Sequence, residues 1–357
     1  MEYRERKSIT PEEAVVLWQA SRLSLSKAYE KAPEILKVHN SVIGTLGNFS
    51  ASIGKAKSKK TFNVSAIVAA ALTNGIVLQY AAALPEDKRK ILYVDTEQSP
   101  YHCLKVARRI LRMAGLPTDR DNENLEFLAL RKHTPEERIA IVEQAIYRTD
   151  NIGLVIIDGI RDMVYDINSP SEATCIISRL MQWTDERQIH IHTILHQNKA
   201  DENARGHIGT ELNNKAETVL LVEKDEKDTD VSTVRAAHIR AMDFEAFAFR
   251  INGEALPELL DGYKFQKKEP GRPKKEKFDA YRDITEHQHR IALEAAFTLK
   301  DEYGYQELAE ALKSAYASVG VPLSDNKAVS LITTLKNKRM IVQENGRKYR
   351  FMPDFHY

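Results

Sequence analysis

Cysteine is scarce. The 357-residue chain has two, Cys103 and Cys175, far apart and outside any CxxC pair. That excludes a disulfide framework and a cysteine-based zinc cluster, and it fits a reducing compartment. Long apolar runs are missing too, so nothing approaches transmembrane length. The opening Met1-Glu2-Tyr3-Arg4-Glu5-Arg6 is not a secretory signal. The expectation is a soluble, cytoplasmic protein with no membrane partner. No charge of one sign dominates, the formal net charge being +1, so partners must be read from local charge. Internal repeats are absent. What is present is core material, 43% hydrophobic residues against 29% charged, enough for one large core and a smaller one.

Residues 1–40 are polar with a helical pattern from Pro11 to Ala32, and read as an N-terminal arm. From 41 to 264 the pattern predicts an α/β core. Strands are expected at 42–53, 90–96, 125–131, 152–158, 189–196, 217–223, 232–240 and 244–251, with helices at 60–74, 99–115, 134–149 and 170–187. Nearly continuous apolar strands such as Leu154-Val155-Ile156-Ile157 between helices point to a mostly parallel sheet covered on both faces. The last strands follow one another directly, which predicts an antiparallel edge. A basic, proline-containing stretch spans the 265–280 boundary (Lys267 to Lys277) and cannot bury a core, so it reads as a linker. Beyond it, at 281–357, three helical patterns (281–301, 305–318, 325–339) precede two short strands joined by Asn345-Gly346, a winged-helix pattern with a hairpin turn.

The strongest motif is Gly54-Lys55-Ala56-Lys57-Ser58-Lys59-Lys60-Thr61, followed by Phe62, between an apolar strand and an Ala/Val/Ile helix. This is the layout of the phosphate-binding loop G-x-x-x-x-G-K-[ST], except that Lys59 occupies the second glycine position. Free N–H groups at a helix start, an ammonium and a hydroxyl suit a β,γ-phosphate carrying Mg²⁺. If position 59 must be left-handed, a non-glycine residue there costs roughly 1–2 kcal/mol. A Lys-rich surface turn is the alternative reading, as is a degenerate loop that binds weakly.

In a parallel α/β sheet ligands sit beyond the carboxyl ends of the strands. Four such ends carry suitable groups: the loop itself, Asp95-Thr96-Glu97, Asp158-Gly159, and His196-Gln197-Asn198-Lys199. Lys60 would reach the phosphates of ATP, Thr61 and Asp158 would hold Mg²⁺, and Glu97 would orient the attacking water. His190, His192, His287 and His289 have no carboxylate or cysteine set beside them and read as surface or core histidines.

Glu97, Asp158, His196-Gln197 and Arg205-Gly206-His207-Ile208-Gly209-Thr210-Glu211-Leu212 together resemble the RecA/DnaB-type ATPase core, and in particular the RepA-like hexameric helicases of plasmids and mobile elements. The resemblance covers about residues 40–252. It implies that Glu97 activates water, that Gln197 with His196 senses the γ-phosphate, and that Asn198 to Lys215 forms a loop contacting single-stranded DNA through Lys199, Arg205 and Lys215. It also implies a homo-hexamer in which Arg240 of His238-Ile239-Arg240 reaches the neighbour's ATP; the family's Lys-x-Arg has its lysine replaced by His238. Lys55 stands where partition ATPases carry a signature lysine, without the glycines that should follow.

In the winged-helix reading, 325–339 is the recognition helix. Ser330, Thr333, Thr334 and Lys336 face bases, while Lys327, Lys338, Arg339, Arg347 and Lys348 supply positive charge for the phosphates of duplex DNA. Pro270-Gly271-Arg272-Pro273 resembles a minor-groove hook through Arg272, or is a plain charged linker. Three readings stay open: a ring-forming ATP-dependent DNA motor, an ATP-switched DNA-binding protein for partition or recombination, and a non-hydrolysing initiator or repressor.

Overall fold

The computed structural model describes residues 9–197, 206–265, 279–280, 282–344 and 348–355. The chain divides into two compact units, residues 1–264 and 265–357.

The first unit begins with α1 (Pro11–Ala20), capped by Thr10 and Glu13 in a reciprocal capping box. The helix buries none of its residues and ends twelve residues short of the expected Ala32. An amphipathic pattern without a packing partner gains little from continuing. The arm expected over 1–40 then gives way to β1 (Glu34–Val38), which pairs with β2 (Ser41–Thr45). The apolar run expected as one strand over 42–53 is therefore two. Gly47, at φ 80°, makes the turn between β2 and β3 (Phe49–Gly54).

Helix α2 (Lys60–Thr73) follows, then β4 (Ile76–Val77) and β5 (Tyr80–Ala82), two short strands with no alternation long enough to announce them. They complete a small antiparallel sheet of order β2-β1-β5-β4. The remaining elements are β6 (Lys90–Asp95), α3 (Pro100–Met113), β7 (Leu125–Ala129), α4 (Pro135–Arg148), β8 (Ile152–Asp158), α5 (Pro170–Arg187), β9 (His190–His196), α6 (Gly206–Lys215), β10 (Thr218–Lys224), β11 (Val231–Ile239), β12 (Phe247–Ile251) and β13 (Pro257–Leu259).

The large sheet runs β13-β12-β11-β10-β3-β9-β8-β6-β7. Its six strands from β10 to β7 are parallel and its outer three antiparallel, the expected α/β architecture. Side-chain alternation along β8 feeds two cores. Leu154 and Ile156 pack with Val64, Ile67, Val106 and Ile110 of α2 and α3. Val155 and Ile157 pack with Val142, Ile176, Leu180 and Leu212 of α4, α5 and α6 on the other face.

The segment expected as a DNA-contacting loop is, over Gly206–Lys215, helix α6. Its Ile208 and Leu212, one turn apart, are buried in the second core. Residues 198–205 lie outside the described residues.

His190 and His192 are core histidines. Ser50 Oγ lies 2.7 Å from His190 Nε2 and from His192 Nδ1, and Ser52 Oγ lies 2.8 Å from His192 Nε2. His190 Nδ1 donates to the carbonyl of Thr45 at 2.8 Å. Burial holds both imidazoles neutral, with His192 pushed down to about 3. One hydrogen per ring then fixes the direction of donation, from Ser52 through His192 and Ser50 to His190 and Thr45.

The second unit holds α7 (Glu286–Phe297), α8 (Tyr305–Ser318), α9 (Asp325–Asn337), β14 (Ile341–Glu344) and β15 (Lys348–Phe351). Helix α7 is shorter than the expected 281–301. Leu293, Leu308, Leu312, Leu331 and Ile341 form its separate core. Tyr303, between α7 and α8, exchanges backbone hydrogen bonds with Tyr349 of β15 at 2.9–3.1 Å and so adds a third short strand segment to the hairpin. His289 is also a core residue, between Tyr316 Oη and the Ala280 carbonyl. The Asn345-Gly346 turn and the linker from 266 to 278 lie outside the described residues.

Among the described residues no helix is long and apolar enough to cross a membrane. Ile156 is wholly buried at the centre of the parallel sheet. Ile156→Ala is expected to lower stability by about 2–5 kcal/mol in urea titration followed by circular dichroism.

Candidate functional site

Parallel register aligns four strand ends along one crest. Gly54 lies opposite His196, Asp158 opposite Ile194, and Asp95 opposite Asp158. Because β9 is interposed between β3 and β8, its end sits between the phosphate-loop motif and Asp158.

The loop leaves β3 at Gly54, where a Cβ would stand 2.2 Å from the Val222 carbonyl of β10. Only glycine fits there. Lys59 adopts φ 65°, ψ 28°, the left-handed conformation that the missing glycine would have supplied, and Lys57 is left-handed as well. The strain expected for a lysine, roughly 1–2 kcal/mol, is therefore present at position 59.

No side chain caps the start of α2, so its first N–H groups are open to an anion. Ser58 Oγ is buried and has no hydrogen-bond partner among the described residues. Lys60 Nζ is buried and donates to the loop's own carbonyls at Gly54 (2.8 Å) and Lys55 (2.9 Å). Burial pushes its ammonium down to about 8, against the pull of Asp158 and Glu97. An uncapped helix start, an orphaned hydroxyl and a desolvated ammonium fit a phosphate group.

Asp158, at the end of β8, accepts hydrogen bonds at one carboxylate oxygen from Thr61 Oγ1 (3.1 Å) and Tyr93 Oη (3.0 Å). Burial, with the nearby Asp95 carboxylate, pushes it up to about 7. The Thr61 hydroxyl and this carboxylate fit Mg²⁺, which would return Asp158 to its ionised form.

Asp95 is spent structurally. Its oxygens accept from the Glu97 and Gln98 N–H groups and from Gln98 Nε2, between 2.7 and 3.0 Å. This turns the chain so that Glu97 lines the cavity. Glu97 Oε1 is 3.6 Å from His196 Nε2, and this contact, joined by Lys60, holds its carboxyl below the usual range. His196 Nδ1 lies 3.2 Å from Lys60 Nζ. An ammonium only donates, so Nδ1 accepts and the ring hydrogen sits on Nε2, facing Glu97.

A cavity of about 390 Å³ is lined by Lys60, Thr61, Glu97, Asp158 and His196. It also takes in Arg109 and Arg161, which the sequence did not single out. The Arg109 guanidinium lies 3.6 Å from the Phe62 ring centroid, reached from α3 by helix packing that no local spacing announces.

The two residues of the expected sensor pair are placed differently. His196 lines the cavity, whereas Gln197 is buried and its backbone N–H donates to the Gly54 carbonyl at 3.0 Å. Arg240 is exposed just beyond β11, beside Glu217 and Lys215, at the amino end of the parallel strands. It does not reach the site of its own chain.

Of the residues proposed for DNA, Lys199, Arg205, Arg272 and Arg347 lie outside the described residues. Lys215 is exposed at the end of α6. Lys327 and Lys336 lie on α9, and Lys338 and Arg339 follow it; all four are exposed. Lys336 donates to Gln343, and Lys348 and Arg350 share Glu302 at 3.4 and 2.9 Å.

Residues 26–202 match the protein family described as AAA domain. No match is found among curated proteins. Among solved structures, the crystal structure of the RadB recombinase is similar over 59% of this chain and 90% of that one, at 15% identity and a TM-score of 0.41. The stretch that matches includes the loop, Glu97, Asp158 and His196.

The Asp158 carboxyl, pushed up to about 7 in the folded protein from its ordinary 3.8, makes stability fall as pH rises between those values. The full shift corresponds to on the order of 4 kcal/mol. Asp158→Asn is expected to melt higher than the parent protein at pH 8 without nucleotide or Mg²⁺, with the difference shrinking toward pH 5 in scanning calorimetry.

Proposed function

We propose that the chain is an ATP-driven, ring-forming DNA motor of the RepA/DnaB helicase type, acting in replication or mobilisation of a mobile element. The observation that carries this reading is the convergence of Lys60, Thr61, Asp158, Glu97 and His196 on one cavity at the carboxyl end of the parallel sheet.

ATP would lie with its phosphates against the start of α2. Lys60 would exchange the Gly54 and Lys55 carbonyls for phosphate oxygens, and Ser58 Oγ would gain a partner. Thr61 and Asp158 would hold Mg²⁺, which neutralises charge on the β,γ-phosphates when bound. Glu97 is ionised and faces the cavity, as a group that orients and deprotonates water must be. His196 touches both Lys60 and Glu97, so a change at the phosphates reaches Glu97 through one ring.

The exposed position of Arg240, away from its own site, supports a role in a neighbouring subunit of a homo-hexamer. Three helices, a hairpin and the Tyr303–Tyr349 bridge support a winged helix in the second unit. There the exposed Ser330, Thr333 and Lys336 of α9 would meet duplex DNA.

Steady-state kinetics test the reading. ATP hydrolysis should be stimulated by single-stranded DNA and accompany strand separation on a forked duplex. Glu97→Gln should lower kcat by about 10²–10⁴ while retaining ATP binding, and Lys60→Ala should lose binding. Arg240→Ala should lower kcat by about 10³ or more. Hydrolysis without strand separation would leave an ATP-switched DNA binder; no hydrolysis, with duplex binding that survives Lys60→Ala, would leave an initiator or repressor.

A further inference from the structure

Position 59 carries the chain's one departure from the phosphate-loop pattern, and the lysine there does something a glycine cannot. Its Nζ donates to the carbonyl oxygens of Thr229, at 3.4 Å, and Asp230. Both belong to the turn joining β10 to β11. That turn is braced from within: the Asp225 carboxylate accepts from the N–H groups of Lys227 and Asp228 at 2.7–2.8 Å and from Tyr263 Oη. Asp228 in turn accepts from the Asp230 N–H at 3.0 Å.

The same hairpin meets the other end of the loop, where the Val222 carbonyl of β10 leaves no room for a Cβ on Gly54. The loop is thus held at both ends by one neighbouring element, by close approach at Gly54 and by a charge-assisted hydrogen bond at Lys59.

We propose that Lys59 is a positioning residue for nucleotide binding, its side chain tying the loop's left-handed hinge to the β10–β11 turn. The tether offsets the backbone strain of a lysine at this φ and lowers the number of loop conformations that binding must freeze. A glycine would relieve the strain and release the hinge. The ammonium is engaged by the turn's carbonyls, so its effect on phosphate is indirect. This rests on the reading of the loop as an ATP site.

Titration calorimetry with Mg-ATP and with Mg-ADP, plus steady-state kinetics, on the full chain test it. Lys59→Gly is expected to weaken both nucleotides by about tenfold, raising KM for ATP similarly and leaving kcat within about twofold. Lys59→Asn, which tolerates the left-handed backbone but cannot reach the turn, should behave alike. Lys59→Arg, which can reach it, should restore most of the affinity. Unchanged or tighter binding by Lys59→Gly, with binding still lost in Lys60→Ala, overturns the tether and leaves the ATP site standing. A loss confined to ATP overturns it in favour of direct contact with the terminal phosphate. Should the unaltered protein bind neither nucleotide, the ATP reading fails and this proposal with it.

Discussion

The groups lining the cavity come from five segments, from Lys57 in the loop to His196 at the end of β9, and hydrogen-bond register between parallel strands is what brings the strand ends among them together. In a parallel ladder every strand delivers its carboxyl end to the same edge. Gly54 faces His196, and Asp158 is flanked by Ile194 and Asp95. A slip of one residue in β8 would send Asp158 to the opposite side of the sheet and move Leu154 and Ile156 into the wrong core. The apolar packing on both faces therefore fixes the polar crest.

Electrostatics at that crest are unsatisfied in a directed way. Asp95 and Asp158 repel each other, and the cost is reduced in different manners: Asp95 by two N–H groups and an amide, Asp158 by holding its proton. Lys60 is buried yet bonded only to neutral groups. An anion beside Lys60 and a cation beside Asp158 would each relieve a desolvated group. The magnesium-bound triphosphate proposed above would supply both.

The loop differs from its consensus in chemistry at position 59, where the backbone is left-handed. Glycine reaches the left-handed region without strain; Lys59 reaches it against a steric cost and with a side-chain anchor on the next hairpin. What changes is that the lysine version depends on a second element, the β10–β11 turn, for its definition.

Much of the first unit was legible from residue pattern alone. The β6, β8 and β9 strands carry apolar runs with acid or histidine at their ends, and α4 falls within the expected 134–149. The short pair β4 and β5 was not legible, since two or three residues carry no period. The break between β2 and β3 was hidden inside a continuous apolar run. Helix α6 escaped because its glycines and asparagines weaken the helical signal, and Ile208 and Leu212 become a packing face only when α5 is present. Sequence by itself determined which strand ends carry acid, lysine and hydroxyl residues, because such residues at the ends of apolar runs are a local fact. Tertiary structure alone decided that His196 rather than its neighbour Gln197 lines the cavity, that Arg109 joins it from α3, and that Lys59 is anchored. Those are contacts between segments distant in the chain, and no local period encodes them.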